Sequence, residues 1–328
     1  MKILRSSTFS LLIVFFLTNY CFAQSLTWYG FDRDFILSKY SNSAIGDLSF
    51  TQPHPAMTVH PSSCGGKDAE LHIGMTLPEV QLPNNQMPLT DSPDSDDEDW
   101  GLVAELPNTN SGDGQSLLNT LAGKPVTFFG YFRVWDEGHG QGQVHPSNPH
   151  HVFEIHPAWG FKGVGVNFMR KDLVRPMSGY RGFGATKFKP LLRSLSDEEW
   201  PLVFQTEGVL HVGLIRSSNF FQLPVKVKAV SSVSGGHEVT VDVFSNQAMT
   251  TLIYSGLTAI TATGSPIDST LSAGQKVFLL GFFSVNLKKA LDASNDAHSE
   301  DEAIAAQDAV EFFVFGIAPN PAVATCGS

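Results

Sequence analysis

Five of the eleven histidines fall between residues 139 and 156: His139, His145, His150, His151 and His156. Asp136, Glu137 and Glu154 lie in the same stretch. Imidazole nitrogen and carboxylate oxygen together suit zinc or a similar divalent ion. The same pair can act as a general base with a carboxylate that orients it. In Phe153-Glu154-Ile155-His156, side chains two apart on a strand share a face, so Glu154 and His156 project together, opposite Phe153 and Ile155. These two are the catalytic candidates, and with Asp136 and His139 they make the metal candidates. Trp135 and Trp159 flank the segment, where exposed aromatic rings would stack on a ligand such as a sugar or a base.

No familiar ligand or nucleophile spacing supports a narrower reading. The chain has no HExxH pair and no Cys-rich knuckle, and it lacks a GxSxG elbow, a Walker loop and a GxGxxG turn after a strand. Asp94-x-Asp96-x-Glu98, within the acidic run Asp91 to Asp99, has part of a calcium-loop spacing but neither the turn glycine nor the distal glutamate. It reads as a solvated loop.

The elements that must position the histidines are strands, and they recur. Leu71-His72-Ile73-Gly74-Met75 matches Leu210-His211-Val212-Gly213-Leu214. Ala122-Gly123-Lys124-Pro125-Val126, running on to Gly130-Tyr131-Phe132-Arg133-Val134, matches Ala273-Gly274-Gln275-Lys276-Val277, running on to Gly281-Phe282-Phe283-Ser284-Val285. Val152-Phe153-Glu154-Ile155-His156-Pro157 matches Val314-Phe315-Gly316-Ile317-Ala318-Pro319. The order is kept and the spacing grows, as insertions in a second copy of one unit would make it.

In the long middle strand, Val126, Phe128, Gly130, Phe132 and Val134 form one core face, and Val277, Leu279, Gly281, Phe283 and Val285 form its partner. A central glycine there suits a strand that bends or is closely approached by another backbone. The opposite faces are apolar too, which predicts strands covered on both sides. In this alignment Glu154 and His156 match Gly316 and Ala318, while Asp136 and His139 match Leu287 and Ala290, so the polar set belongs to the first copy. His72 and His211, present in both, read as structural.

Helices are few: a short one over Ser116 to Leu121, and one over Glu300 to Ala309 behind the capping-box pattern Ser299-Glu300-Asp301-Glu302. The element list predicts a mainly β protein of two tandem, diverged small β-barrels of OB-like type. A pair of β-sandwiches is the alternative. The divisions are a signal peptide at 1–23, an N-terminal extension at 24–50, a first barrel at 51–175, a linker at 176–200 rich in Gly and Pro, and a second barrel at 201–328.

The signal peptide is read from Lys2 and Arg5, the apolar run Leu11 to Thr18, and small residues before a cut at Gln24. The run is too short to span a bilayer, and no later stretch is apolar enough to do so. Export places the chain in the periplasm or outside the cell. There, Cys64 and Cys326 are expected to pair as a disulfide. The net charge of −11 becomes more negative once the two basic residues of the signal are removed. That balance excludes nucleic acid and anionic membranes as natural partners.

Three functions fit. The first is an exported binding protein for a small molecule, glycan or protein. The second is a metal-dependent hydrolase using Glu154 and His156 with Asp136 and His139. The third is a purely structural protein.

Overall fold

A computed structural model describes residues 26–39, 45–52, 56–59, 71–76, 89–91, 101–106, 113–136, 151–169, 185–216, 221–263 and 267–318. The signal segment, His139, His145, His150, Cys64, Cys326 and the acidic run beyond Asp91 lie outside them, and no disulfide is found among the described residues. None of their helices is long and apolar enough to cross a membrane.

The first half carries β1 (Leu26–Asp32), α1 (Arg33–Lys39), β2 (Ile45–Gln52), β3 (Ala56–Val59), β4 (Leu71–Thr76), β5 (Leu89–Asp91), β6 (Gly101–Leu106), α2 (Asp113–Asn119), β7 (Lys124–Val134), β8 (Phe153–Gly163) and β9 (Val166–Met169). After α3 (Ala185–Ser196) come β10 (Leu202–Thr206), β11 (Val209–Ile215), β12 (Phe221–Val233), β13 (Gly236–Phe244), β14 (Leu252–Ala262), β15 (Lys276–Val285), α4 (Leu287–Ala293), β16 (Ile304–Ala305) and β17 (Val310–Ala318). The protein is mainly β, as its alternating sequence implies.

The strands form three systems. One sheet runs β2-β7-β8-β6-β4-β3, with β9 paired to β8. A closed five-stranded barrel runs β12-β13-β14-β17-β15. A third, five-stranded sheet runs β16-β10-β11-β1-β5. Among the described residues, the first sheet and the barrel each contain a single parallel pair, β6 with β8 and β14 with β17, among antiparallel neighbours.

The long strands β7 and β15 behave as their sequences predict. Val126, Phe128 and Val134 on one and Val277, Leu279, Phe283 and Val285 on the other are buried. So are Tyr131 and Phe282 on the opposite faces. The strand pairing shifts register at Gly130 and again at Gly281. A Cβ on Gly130 would lie 2.4 Å from Ile155 Cγ2 and 2.7 Å from the Pro157 carbonyl, and one on Gly281 would lie 2.1 Å from the Phe313 carbonyl. Both glycines therefore let a neighbouring strand come closer than any side chain permits.

β7 and β15 also meet each other. The Val134 amide donates to Ser284 Oγ at 3.0 Å, and Arg133 Nε donates to the Phe283 carbonyl at 3.0 Å. Nearby, Tyr131 stacks on Phe313 with ring centres 4.7 Å apart. Its hydroxyl accepts from the Ala262 amide and donates to the Val314 carbonyl. The first sheet and the barrel are thus joined by apolar packing and buried hydrogen bonds, within one continuous core that also takes in the third sheet.

Several expectations are corrected. The segment 176–200 is not only linker: it holds α3, whose Phe188, Leu191, Leu192 and Leu195 are buried at helical spacing. Each such apolar side chain contributes about 1.5–3 kcal/mol when fully buried. β10 and β11 lie in the third sheet, so the barrel begins at β12 rather than near residue 201. β4 and β11, matched through their His residues, therefore belong to different sheets. The helix expected from Glu300 to Ala309 is two 3-10 turns, Glu300–Glu302 and Gln307–Ala309, around β16; Ser299 makes no side-chain cap. A genuine helix lies just before it, α4, capped by Asn286, whose side chain accepts from the Lys289 amide.

Candidate buried glutamate-histidine site

Three strands of the first sheet bring the site together. β8 carries Glu154 and His156, and His151 lies just before it. β6 runs parallel to β8, with Val103 opposite Glu154 and Ala104 opposite Ile155, which places Glu105 beside His156. β7 runs antiparallel on the other side, with Arg133 opposite Glu154. β4, next to β6, adds His72 opposite Glu105.

Glu154 is the centre. Its Oε1 accepts from His151 Nε2 at 3.0 Å. Its Oε2 accepts from Arg133 Nη1 at 2.9 Å and from His156 Nδ1 at 3.1 Å. The other ring nitrogen of His156 lies 3.1 Å from Glu105 Oε2, and His72 Nε2 lies 3.4 Å from Glu105 Oε1. The imidazole of His156 thus lies between two carboxylates. Arg133, Glu154, His156, His151 and Glu105 are all buried, at 3% exposure or less. The guanidinium of Arg133 lies over Phe282 and Trp135, and the His156 ring packs 4.6 Å from Phe282, so barrel residues wall one side of the site.

Burial alone would raise the Glu154 carboxyl. The Arg133 guanidinium and the hydrogen bonds from His151 and His156 together hold it well below the usual carboxylate range. Glu105, His151 and Glu154 offer ligand atoms that all lie within 4.8 Å of one another. Nitrogen and carboxylate donors at that spacing suit a small divalent ion.

The predicted residues separate here. Glu154 and His156 converge as the strand alternation requires. Asp136 is buried but is not part of the three-ligand group, and His139 lies outside the described residues. Trp135 is no open stacking surface: it is buried, edge-on to Trp200 and stacked against Phe283. Trp159 is half-buried and packs edge-on against Tyr131. His211 stacks on Phe204 with Nε2 2.9 Å from Thr206 Oγ1, whereas His72, matched to it in sequence, lies beside Glu105. Glu105 was missed because it enters through a parallel pairing that leaves no local mark in the sequence.

The barrel corrects the idea that the polar set is confined to the first half. Opposite Arg133 on the β7–β8 ladder stands Glu154; opposite Ser284 on the β15–β17 ladder stands Glu311. Across the parallel pair, Glu154 faces Val103 and Glu311 faces Thr258. Glu311 thus stands on the β15–β17 ladder opposite the residue three along from the central glycine, much as Glu154 stands on the β7–β8 ladder. Glu311 is fully buried. Its Oε1 accepts from Asn286 Nδ2 at 3.0 Å and lies 3.0 Å from Lys289 Nζ. Burial pushes its carboxyl up despite these partners.

No protein-family model, curated protein or solved structure matches the chain.

Proposed function

We propose that the chain is an extracytoplasmic binding protein of two tandem OB-like units, the first of which holds one divalent ion, zinc by its donor set, between Glu105, His151 and Glu154. The observation that carries this reading is the convergence of those three buried side chains, with ligand atoms within 4.8 Å of one another. Zinc bonds to histidine nitrogen and carboxylate oxygen are about 2.0–2.2 Å long, which puts neighbouring ligand atoms about 3.4 Å apart. The His151–Glu154 contact at 3.0 Å opens to that spacing with a shift of a few tenths of an ångström, the ion replacing the proton now shared between them.

The two-unit reading is supported by the common wiring of the first sheet and the barrel. Each follows one strand order, with a single parallel pair, a glycine-centred long strand and a buried glutamate at the same ladder position. In the first unit β2 and β3 share the role that β12 fills alone in the barrel. Burial of the whole cluster favours an ion that holds structure over a metal-dependent hydrolase, whose metal keeps an open position for water and substrate. The acidic net charge favours a small molecule, glycan or protein as the bound partner over nucleic acid. Export and a Cys64–Cys326 disulfide complete the proposal.

Elemental analysis of the purified full chain, beside His151→Ala and Glu105→Gln, tests it. The expected result is one zinc per chain, lost in both variants. A chain without stoichiometric metal after growth and purification with zinc present would overturn the metal assignment.

A further inference from the structure

We infer that Arg133 is the specificity-determining residue of this site, restricting Glu154 to a single metal-binding oxygen and so selecting zinc-like ions over calcium. The inference rests on the metal reading above and adds to it a reason for the choice of ion.

Glu154 has two oxygens, and the structure divides them between different tasks. Oε2 accepts from both Arg133 and His156, which uses its two lone-pair directions. Only Oε1 remains, beside His151 Nε2. An ion entering here meets one oxygen of Glu154, one imidazole nitrogen and Glu105. That is a small set of mixed nitrogen and oxygen donors, suited to four-coordinate zinc. Calcium takes six to eight oxygens and commonly a bidentate carboxylate, which Glu154 does not offer while Arg133 holds Oε2.

The guanidinium cannot easily leave. It is fully buried, its Nε is bonded to the Phe283 carbonyl of the barrel, and Phe282 and Trp135 lie against it. A planar fork reaches the two acceptors from separate, fixed nitrogens in this way, where an ammonium would have to reach both from a single nitrogen. Nor does the fold demand arginine at this position. The residue at the matching ladder position of the barrel is Ser284, opposite Glu311, where the counter-charge comes instead from Lys289 on α4. Arginine at 133 is thus tied to the site rather than to the strand ladder.

The test is titration of the full chain with zinc and with calcium, each alone, by calorimetry, for the wild type, Arg133→Met, Arg133→Lys and Ser284→Ala. Melting curves confirm folding of each variant. The wild type is expected to prefer zinc by about 100-fold or more. Arg133→Met frees one of the two lone-pair directions of Oε2, the other staying with His156 Nδ1, and the preference should fall by about 10-fold or more as calcium gains access to the second oxygen. Arg133→Lys, which keeps the charge and protects the fold if the methionine variant is unstable, should fall between the two. Ser284→Ala removes a neighbouring bond of the same joint without touching Glu154 and should leave the preference unchanged. An unaltered zinc-to-calcium ratio in both Arg133 variants overturns this inference while the metal reading stands. A wild type that binds neither ion overturns both.

Discussion

Glu154 and Glu311 occupy the same position on similarly wired strand ladders, and the protein treats them in opposite ways. Glu154 is surrounded by Arg133, His151 and His156, and its carboxyl is held well below the usual range. Glu311 has one ammonium and one amide, and burial pushes its carboxyl up. One of its oxygens, Oε2, is buried without a hydrogen-bond partner among the described residues. The difference lies in what each neighbourhood supplies, not in the backbone. In the first sheet the donors come from β7, from β8 itself and from the segment leading into β8. In the barrel they come from the first turn of α4, where Asn286 both caps the helix and holds Glu311. The two surroundings thus push a buried glutamate in opposite directions. With a second carboxylate, Glu105, and three histidines around it, the first sheet has the ligands for an ion. The barrel carries its own cation, Lys289.

The largest expected effect is that of Glu154→Gln. It leaves Arg133 buried without its counter-charge, which should cost about 3–5 kcal/mol in denaturant unfolding. Glu311→Gln should be far milder, within about 1 kcal/mol of wild type, because the burial of Glu311 as an anion is incompletely offset. Equal losses for the two variants would break the comparison.

Between these lie the glycines. Gly281→Ala forces a Cβ against a backbone carbonyl and should destabilise by about 1–3 kcal/mol or more. Gly130→Ala meets mainly the Ile155 side chain and the Pro157 carbonyl and should cost somewhat less. Unfolding of the two variants in parallel would sharpen the parallel between β7 and β15; a neutral Gly281→Ala would contradict the close approach.

The smallest effects are in pH dependence, and their signs differ. A folded carboxyl lowered below its unfolded value contributes stability above that unfolded value, lost as pH falls through the folded one. The advantage of wild type over Glu154→Gln should therefore shrink in acid. A raised carboxyl does the reverse, binding its proton more tightly when folded. Wild type should lose ground to Glu311→Gln as pH rises from the ordinary carboxylate value of 4.5 through the raised one. Stability curves of the same sign for both pairs would contradict the assignment.

Much of the scaffold was legible in the sequence. The alternation in β7 and β15, their central glycines and their double-sided apolar character announced long covered strands, and Glu154 with His156 on one face followed from period two. The alignment of β8 with β17 was not legible. Val310 to Gly316 is buried on both faces, so it has no alternation to fix the register, and a slip by an odd number of residues leaves the apolar match intact while exchanging the faces. That slip matched Glu154 to Gly316 and hid Glu311. Glu105 was invisible for another reason: a parallel pairing joins segments that no short-range pattern connects. The helix α3 did carry a signal, the spacing of Phe188, Leu191, Leu192 and Leu195, which the surrounding glycines and prolines masked.

Of the buried glutamates Glu154 and Glu311, Glu154 alone is proposed to serve an ion. The most direct measurement is the zinc content of Glu154→Gln and Glu311→Gln beside the wild type, each purified as the full chain and confirmed folded. One zinc per chain is expected in wild type and Glu311→Gln, and none in Glu154→Gln. Retention of zinc by Glu154→Gln, or its loss from Glu311→Gln alone, would contradict that assignment.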